Sequence, residues 1–267
     1  MKLKTAGITD IGLKRRINED TYLIREDLGL FVVADGMGGH KAGEVASRLI
    51  VRTMTEYWAR WKSKKAPPFL KPIKDDISEK AKHLVISIYM SNSVVHEVQE
   101  KPEYHRMGST VSAIITEKNA FWVANVGDSP VYLHSGNEMR LISEEHSVAA
   151  EQKSMGLVDS LSSTHPSMKN TLTRVIGMNK GVDVFITKIE PKALNKILMC
   201  SDGLINYTSE DLIKTVLDDS SLSLLTKVEV LIEEANKGGG GDNITVILIE
   251  ILEESRWERI KQKFKST

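Results

Sequence analysis

Four aspartates occupy positions where a short apolar segment or a glycine run ends, a pattern typical of acids placed at strand ends: Asp35, Asp128, Asp202 and Asp242. Asp35 shows the pattern best, because it follows the apolar run Phe31 to Ala34 and directly precedes Gly36. Taken singly, each aspartate has an ordinary interpretation as a turn or helix-capping residue. Several such acids in one small domain would repel one another and raise each other's pKa unless a cation neutralised them.

Glu19 and Asp20 add two carboxylates just before a further predicted strand. The set supplies oxygen ligands without a histidine or cysteine cluster, which favours Mg²⁺ or Mn²⁺ over zinc. The glycines that follow Asp35 would let backbone carbonyls approach a cation closely. The residue types therefore predict a site for a hard divalent cation.

Long helices and short strands must position these acids. Strands are predicted at 22–24, 30–34, 110–115, 121–126, 131–133, 139–142, 182–189, 197–200 and 244–251, and helices at about 44–61, 76–99, 149–155, 209–217 and 222–235. Helices and strands do not alternate strictly, which disfavours a parallel doubly wound sheet and favours sheets with helices packed outside. No internal repeat or obvious linker divides the chain, so we expect one domain.

The composition is that of an ordinary soluble protein, with 41% hydrophobic and 27% charged residues among 267. Its 36 basic and 36 acidic residues balance, so bulk charge does not indicate nucleic acid or a membrane surface as a partner. Cys200 is the only cysteine, which excludes an intramolecular disulfide. The N-terminal residues lack the apolar core of a signal peptide, and no apolar run approaches the length of a transmembrane helix. We expect a cytoplasmic protein.

Eight short motifs occur in a fixed order along about residues 5–251: Arg15-x-x-Asn-Glu-Asp20, Asp35-Gly-Met-Gly-Gly-His40, Met107-Gly-Ser-Thr110, Asn125-Val-Gly-Asp-Ser129, Glu145-His-Ser147, Leu172-Thr-Arg174, Ser201-Asp-Gly203 and Gly241-Asp-Asn-Ile-Thr245. Any one of them is weak. Together and in this order they resemble the type 2C metal-dependent serine/threonine protein phosphatases (the PPM family), and the bacterial branch in particular. The resemblance implies an α+β fold, a four-layer α-β-β-α sandwich of two packed antiparallel sheets flanked by helices. It implies a catalytic domain over residues 1–252, followed by a short basic tail, 253–267.

The resemblance also implies a site with two Mn²⁺ or Mg²⁺ ions and a third, weaker one. By position, Asp35 is expected to bridge both ions and the Gly36 carbonyl to bind one. Asp202 and Asp242 are expected to hold the other. The remaining expected site residues are Glu19 as a ligand, Asp20 as a ligand or orienter of metal-bound water, Asp128 near the third ion, and Arg15 gripping the substrate phosphate.

The implied reaction is one-step hydrolysis of phosphoserine and phosphothreonine on proteins by a hydroxide that bridges the two ions. The expected partners are phosphorylated proteins and an opposing serine/threonine kinase, and the expected state is a monomer. Two alternatives stay open: a catalytically silent relative that binds phosphoproteins, and a hydrolase of small phosphate esters. The full set of acids argues against a silent relative, since such a domain need not keep a repulsive cluster.

Two departures from the family pattern concern groups near the reaction. Many eukaryotic relatives have a proposed general acid, histidine, where this chain has Met37, so His40 and a metal-bound water both remain candidates for the proton donor. Pro130 stands where relatives commonly have arginine, which removes a charge near Asp128.

Other candidate functions fit less well. A cysteine-phosphatase nucleophile at Cys200 would need an arginine six positions later, where Asn206 stands, so a buried core cysteine is expected. The glycines after Asp35 match neither a P-loop nor a dinucleotide-binding pattern. His146 and Ser147 are expected to begin a turn and not to form a catalytic pair. Residues 148–170 are expected to form a flap beside the site. The tail, with Trp257, Ile260 and Phe264 on one helical face, is expected to dock on its own domain, with a partner or a membrane surface as the alternative.

Overall fold

The computed structural model of the protein describes residues 2–38, 42–65, 76–157, 171–192 and 194–252. The strands are β1 (Lys2–Asp10), β2 (Asp20–Arg25), β3 (Leu30–Met37), β4 (Gly108–Ser109), β5 (Val111–Glu117), β6 (Ala120–Val126), β7 (Val131–Ser135), β8 (Glu138–Leu141), β9 (Phe185–Ile189), β10 (Lys196–Cys200) and β11 (Ile244–Leu252). They form two antiparallel sheets. One sheet has the order β1-β11-β10-β7-β8, and the other has the order β2-β3-β5-β6-β9 with β4 paired to β3.

The helices are α1 (Ala42–Lys62), α2 (Glu79–Val98), α3 (Val148–Ser154), α4 (Asp202–Ile205), α5 (Glu210–Asp218) and α6 (Leu224–Lys237), with a short 3₁₀ turn at Pro102–Tyr104. Several begin at a serine N-cap whose side chain accepts a backbone N–H, as Ser78 does at α2 and Ser209 does at α5. None of the helices in these described ranges is long and apolar enough to cross a membrane.

Apolar packing produces four layers. In β3, Leu30, Val32 and Ala34 pack with residues of α1 and α2, whereas Phe31 and Val33 pack between the sheets with residues of β10 and β11. A third cluster joins the outer face of the five-stranded sheet to α5 and α6. Both faces of β3 are covered, which explains why its sequence is a continuous apolar run. The expected α-β-β-α sandwich is confirmed.

Four local differences from the sequence expectations stand out. β1 was not predicted, because it lies at a sheet edge, pairs with β11 alone among the described strands and carries many polar residues. β3 continues to Met37, so Asp35 and Gly36 lie inside a strand instead of after it. Asp202 begins the short helix α4. The strand expected at 182–189 is shorter, because β9 begins at Phe185. The expectations for the tail and for flap residues 158–170 lie outside the described residues.

Candidate metal centre

Strand register brings two of the acids together. β2 and β3 pair with Asp20 directly opposite Asp35, and Glu19 immediately precedes β2. In the other sheet, Cys200 lies opposite Val246 at the ends of β10 and β11, so Asp202 and Asp242 leave that sheet close to each other. The acids therefore come from both sheets of the sandwich.

Asp35 is the acid on which the others converge. Burial raises the pKa of Asp35 well above its usual range, and the charges of four further acids raise it more: Asp20, Asp202, Asp128 and Asp242. Burial, followed by the charge of Asp242, also raises the pKa of Asp202.

Asp20 joins the two sheets through hydrogen bonds. Its Oδ2 accepts from the hydroxyls of Ser201 and Thr245, each at 2.7 Å, and both hydroxyls belong to the opposite sheet or its extension. Its Oδ1 is buried and has no hydrogen-bond partner among the described residues. Burial, followed by the charges of Asp202 and Asp242, raises the pKa of Asp20 to about 6.

Glu19 lies against the first turn of α1. A Cβ on Gly43 would stand 2.3 Å from Glu19 Oε1, and a Cβ on Gly36 would stand 2.1 Å from the Gly43 carbonyl oxygen. Only glycine fits at these two positions while Glu19 keeps its place. Glu19 Oε1 is buried without a hydrogen-bond partner in the described part of the chain. Burial raises the pKa of Glu19, and the nearby Arg15 charge opposes that rise.

Arg15 and Asp242 form an ion pair at the edge of this cluster. Arg15 Nη2 lies 2.7 Å from Asp242 Oδ2, and Arg15 Nη1 lies 3.8 Å from Glu19 Oε2. The Arg15 side chain is 45% exposed, so an incoming anion can reach it. Asp242 Oδ1 also accepts the N–H of Asn243 at 2.8 Å.

Asp128 lies in the turn between β6 and β7. Burial, followed by the charges of Asp202 and Glu145, raises the pKa of Asp128 to about 7. The adjacent Pro130 is buried, and its carbonyl accepts the N–H of Cys200 at 3.2 Å. Pro130 therefore stabilises the start of β7 against β10 and places no charge near Asp128.

Three uncharged residues that the sequence did not single out hold the acids in place. Thr110 bonds the Asp35 backbone twice, through its N–H to the Asp35 carbonyl at 2.9 Å and through Oγ1 to the Asp35 N–H at 3.2 Å. Thr110 Oγ1 also lies 2.7 Å from Ser129 Oγ, beside Asp128. Ser201 and Thr245 hold Asp20. All three occur in the eight motifs, which is the signal that could have identified them.

Asn243 connects the site to the loop that carries Arg15. Its Nδ2 donates to the carbonyls of Ile11 and Ile17, each at 3.0 Å, and its Oδ1 accepts the N–H of Glu19 at 2.8 Å. The Asn243 side chain is 4% exposed and is therefore largely shielded from water. The side chain next to Asp242 therefore sets the position of both Arg15 and Glu19.

The structure gives non-catalytic roles to several residues that the sequence analysis considered near the site. Cys200 is fully buried, and burial raises the pKa of its thiol far above the usual range, as a core cysteine requires. Ser147 caps α3 by accepting the Ala150 N–H at 3.1 Å, and His146 Nδ1 accepts the Gly127 N–H at 3.0 Å, so these two residues have structural roles. Met37 ends β3, and His40 lies outside the described residues.

The donor set fits hard divalent cations, but not without rearrangement. Among the described residues, no group of three or more Asp, Glu, His or Cys side chains is arranged to hold an ion as it stands. The carboxylates instead accept hydrogen bonds from Arg15, Ser201, Thr245 and Asn206. Glu19 Oε1 and Asp20 Oδ1 are oxygen donors that these hydrogen bonds do not use. Side-chain rotation towards a cation would offset the burial and the repulsion that raise the carboxyl pKa values.

Comparison with known proteins gives consistent matches. A family profile described as "Protein phosphatase 2C" matches residues 14–235. The chain is 33% identical over 246 residues to the serine/threonine phosphatase stp of Listeria welshimeri, covering 91% of this chain and 93% of the relative. It superposes on the Streptococcus agalactiae serine/threonine phosphatase with a TM-score of 0.82 at 30% identity, covering 94% of this chain and all of that one.

A second solved structure carries metal. The catalytic domain of the serine/threonine protein phosphatase PstP, solved in complex with two manganese ions, matches with a TM-score of 0.75 at 28% identity. The match covers 94% of this chain and 99% of that domain.

Replacing Asp20 by Asn should stabilise the protein in the presence of a chelator. The folded-state pKa of about 6 exceeds the usual aspartate value of 3.8, so ionised Asp20 destabilises the fold above that pKa, by up to roughly 3 kcal/mol. This destabilisation disappears as the pH falls from the pKa of Asp20 in the folded protein to its pKa in the unfolded chain. Asp20→Asn should therefore unfold at higher temperature than the parent at about pH 7.5, and the gap should close near pH 4.

Thermal unfolding with chelator and with Mn²⁺ checks this expectation. Mn²⁺ should raise the unfolding temperature of the parent protein more than that of Asp20→Asn, because the variant lacks one oxygen of an expected ligand. Asp27→Asn, in the turn at the far end of β2, is the matched control and should behave as the parent does with Mn²⁺. Equal stability of the parent and Asp20→Asn at every pH would contradict the destabilisation that we assign to ionised Asp20.

Replacing Asn243 by Ala should loosen the loop that carries Arg15. Loss of the two bonds from Nδ2 removes the clamp on residues 11–17, so their amides should exchange with deuterium about tenfold faster or more. Asn195→Ala is the matched control, since buried Asn195 makes comparable bonds to Ser135 and Lys192 far from the site. Equal exchange over 11–17 in the two variants would refute the clamp.

Proposed function

The chain belongs to the protein phosphatase 2C family and is a serine/threonine protein phosphatase, and from that premise we propose that its acid cluster binds two divalent cations for phosphoester hydrolysis. The observation that carries the proposal is the convergence of acids from both sheets on the buried Asp35. Burial, and then the charges of these acids, raise the pKa of Asp35. A protein core tolerates such repulsion only when a cation or protons compensate it. Mn²⁺ is supported by the manganese-bound relative, and Mg²⁺ suits the same oxygen ligands.

We assign roles to the acids from their places in the cluster. Asp35 lies among four other acids and is the proposed bridge between the cations, with the Gly36 carbonyl as a further ligand. Asp202 and Asp242 leave the opposite sheet and would hold the second cation. Glu19 and Asp20 supply the buried oxygens that lack hydrogen-bond partners in the described structure, and Asp128 would help to hold a third, weaker ion.

Bound cations of this kind supply Lewis acidity and lower the pKa of water, which makes a protein nucleophile unnecessary. The buried, protonated thiol of Cys200 is unsuited to that role in any case. Arg15 would hold the phosphate. Its guanidinium is exposed, its planar donors match phosphoryl oxygens, and its present partner Asp242 would turn to a cation.

The leaving group needs a proton that Met37 cannot supply. We assign the donation to His40 or to a water of the site, and the pH profile of His40→Ala distinguishes them. If the parent protein loses activity at alkaline pH and His40→Ala does not show this pH-dependent decline, the proton donor is His40.

We propose that residues 1–252 form the catalytic domain and that 253–267 form a short basic tail. The proposed substrates are phosphorylated proteins, and the proposed counterpart is a serine/threonine kinase. We also propose that the protein works as a monomer in the cytoplasm. The free, buried Cys200 supports the location, because it suits a reducing compartment.

Replacing Asp35 by Asn should lower Mn²⁺-dependent release of phosphate from a phosphothreonine peptide by more than about a hundredfold, because the shared ligand is lost. Phosphate release is measured with Mn²⁺ and with chelator, on the peptide and on p-nitrophenyl phosphate. Chelator should abolish activity of the parent protein, and the peptide should be the better substrate.

Asp27→Asn is the matched control, because it makes the same chemical change in the exposed turn of the same strand pair. It should retain full activity. Retained activity in Asp35→Asn would refute the assignment, and hydrolysis of p-nitrophenyl phosphate alone would favour a small-ester hydrolase.

A further inference from the structure

A loop at the rim of the acid cluster exposes apolar side chains. The rim loop, residues 11–17, joins β1 to the Glu19–Asp20 pair, and residues 13–16 are all exposed. Leu13 is 65% exposed and Ile11 is 38% exposed. Single exposed apolar residues are common, so exposure alone implies nothing. The position and the anchoring of this pair make it unusual.

The backbone beneath Leu13 is held in one conformation. The N–H groups of Leu13 and Lys14 both donate to the Gly240 carbonyl, at 2.7 and 3.1 Å. Gly12 has a positive φ of 75°, and a Cβ there would stand 2.1 Å from the Asp242 carbonyl oxygen. Together with the Asn243 bonds, these contacts fix the loop to the turn that carries Asp242. An exposed side chain on such a loop loses less entropy on binding than one on a mobile segment.

The rim loop is continuous with the chemistry of the site. Arg15 lies within this loop and reaches Asp242 and Glu19, while its neighbours on both sides are exposed to solvent. A polypeptide whose phosphate lies at Arg15 can therefore place its flanking residues against Leu13, Lys14 or Arg16. A small ester such as p-nitrophenyl phosphate has no flanking residues to place there.

The charge of the rim loop indicates which peptide residues it would bind. Lys14, Arg15 and Arg16 are consecutive cations, and in the described part of the chain the ion pairs of this segment involve Arg15 alone. Two cations and an anchored leucine suit a peptide segment that carries both acidic and large apolar residues.

We propose that the rim loop docks the substrate polypeptide beside its phosphorylated residue. Leu13, with Ile11, contacts a large apolar residue of the substrate, and Lys14 and Arg16 contact acidic residues. The inference rests on the proposed function, because it takes the occupant of Arg15 to be a phosphoryl group. A second copy of the chain is a poorer occupant, since two exposed apolar residues are far from the roughly 1,000 Å² that a stable interface requires.

Leu13→Ala tests the apolar contact. Kinetics are measured on a phosphothreonine peptide with flanking leucine and aspartate, and on p-nitrophenyl phosphate. Leu13→Ala should raise KM for the peptide about fivefold, as expected for partial loss of one leucine contact, and should leave p-nitrophenyl phosphate hydrolysis unchanged. Leu225→Ala is the matched control, because Leu225 is 51% exposed at the start of α6.

Lys14→Glu/Arg16→Glu tests the charge contact. This variant should lose the preference of the parent protein for the acidic peptide over a version with alanine in place of aspartate. Raised salt should reduce the same preference in the parent, because exposed charge pairs are screened.

Binding separates this inference from the proposed function. Binding of the labelled phosphopeptide is measured by fluorescence anisotropy in three proteins. These are Asp35→Asn alone, Asp35→Asn with Leu13→Ala, and Asp35→Asn with Leu225→Ala. Weaker binding with Leu13→Ala alone supports the docking surface even if the parent protein hydrolyses neither substrate. Equal KM for the peptide and equal peptide affinity in the Leu13→Ala and Leu225→Ala variants would overturn the proposal. A change in the molecular mass of Leu13→Ala, measured by light scattering, would also overturn it, because it would indicate that Leu13 contacts a second copy of the chain.

Discussion

Repulsion among carboxylates at one end of the sandwich is the constraint on which the rest of the site depends. Asp20 and Asp35 lie opposite each other in one sheet, and Asp202 and Asp242 emerge from the other. The strands cannot slip to separate these charges, because a shift by one residue would turn the apolar faces of β3 towards the wrong layers. The fold therefore holds the acids together, and protons, Arg15 and hydroxyl groups compensate their charge where cations do not.

Neutral side chains position the charged ones. Ser201 and Thr245 hold Asp20 across the two sheets, Thr110 holds the Asp35 backbone, and Asn243 ties the Arg15 loop to Glu19. Each makes buried hydrogen bonds, which are strong in a low-dielectric environment and costly to lose. This division suits a catalytic centre, because the acids can turn towards cations while the backbone that carries them stays fixed.

The Asn243 clamp also joins recognition to chemistry. The same loop presents Arg15 to the acids and Leu13 to solvent, and its conformation depends on the turn that carries Asp242. A substrate that contacts the rim therefore contacts a surface rigidly connected to a proposed metal ligand. The proposed docking surface and the proposed phosphate-binding group, Arg15, are thus fixed relative to each other.

The sequence by itself determined the layered α+β architecture and most elements, and it predicted which acids form the proposed site, because apolar periodicity and ordered motifs are local properties of the chain. It missed β1, since an edge strand with polar residues lacks that periodicity, and it ended β3 two residues before Gly36 and three before Met37. Only the tertiary structure decided that Asp20 faces Asp35, that Gly43 must lack a side chain beside Glu19, and that Asn243 clamps the Arg15 loop. These contacts join residues far apart in the chain, so they depend on strand register and on the packing of one layer against the next.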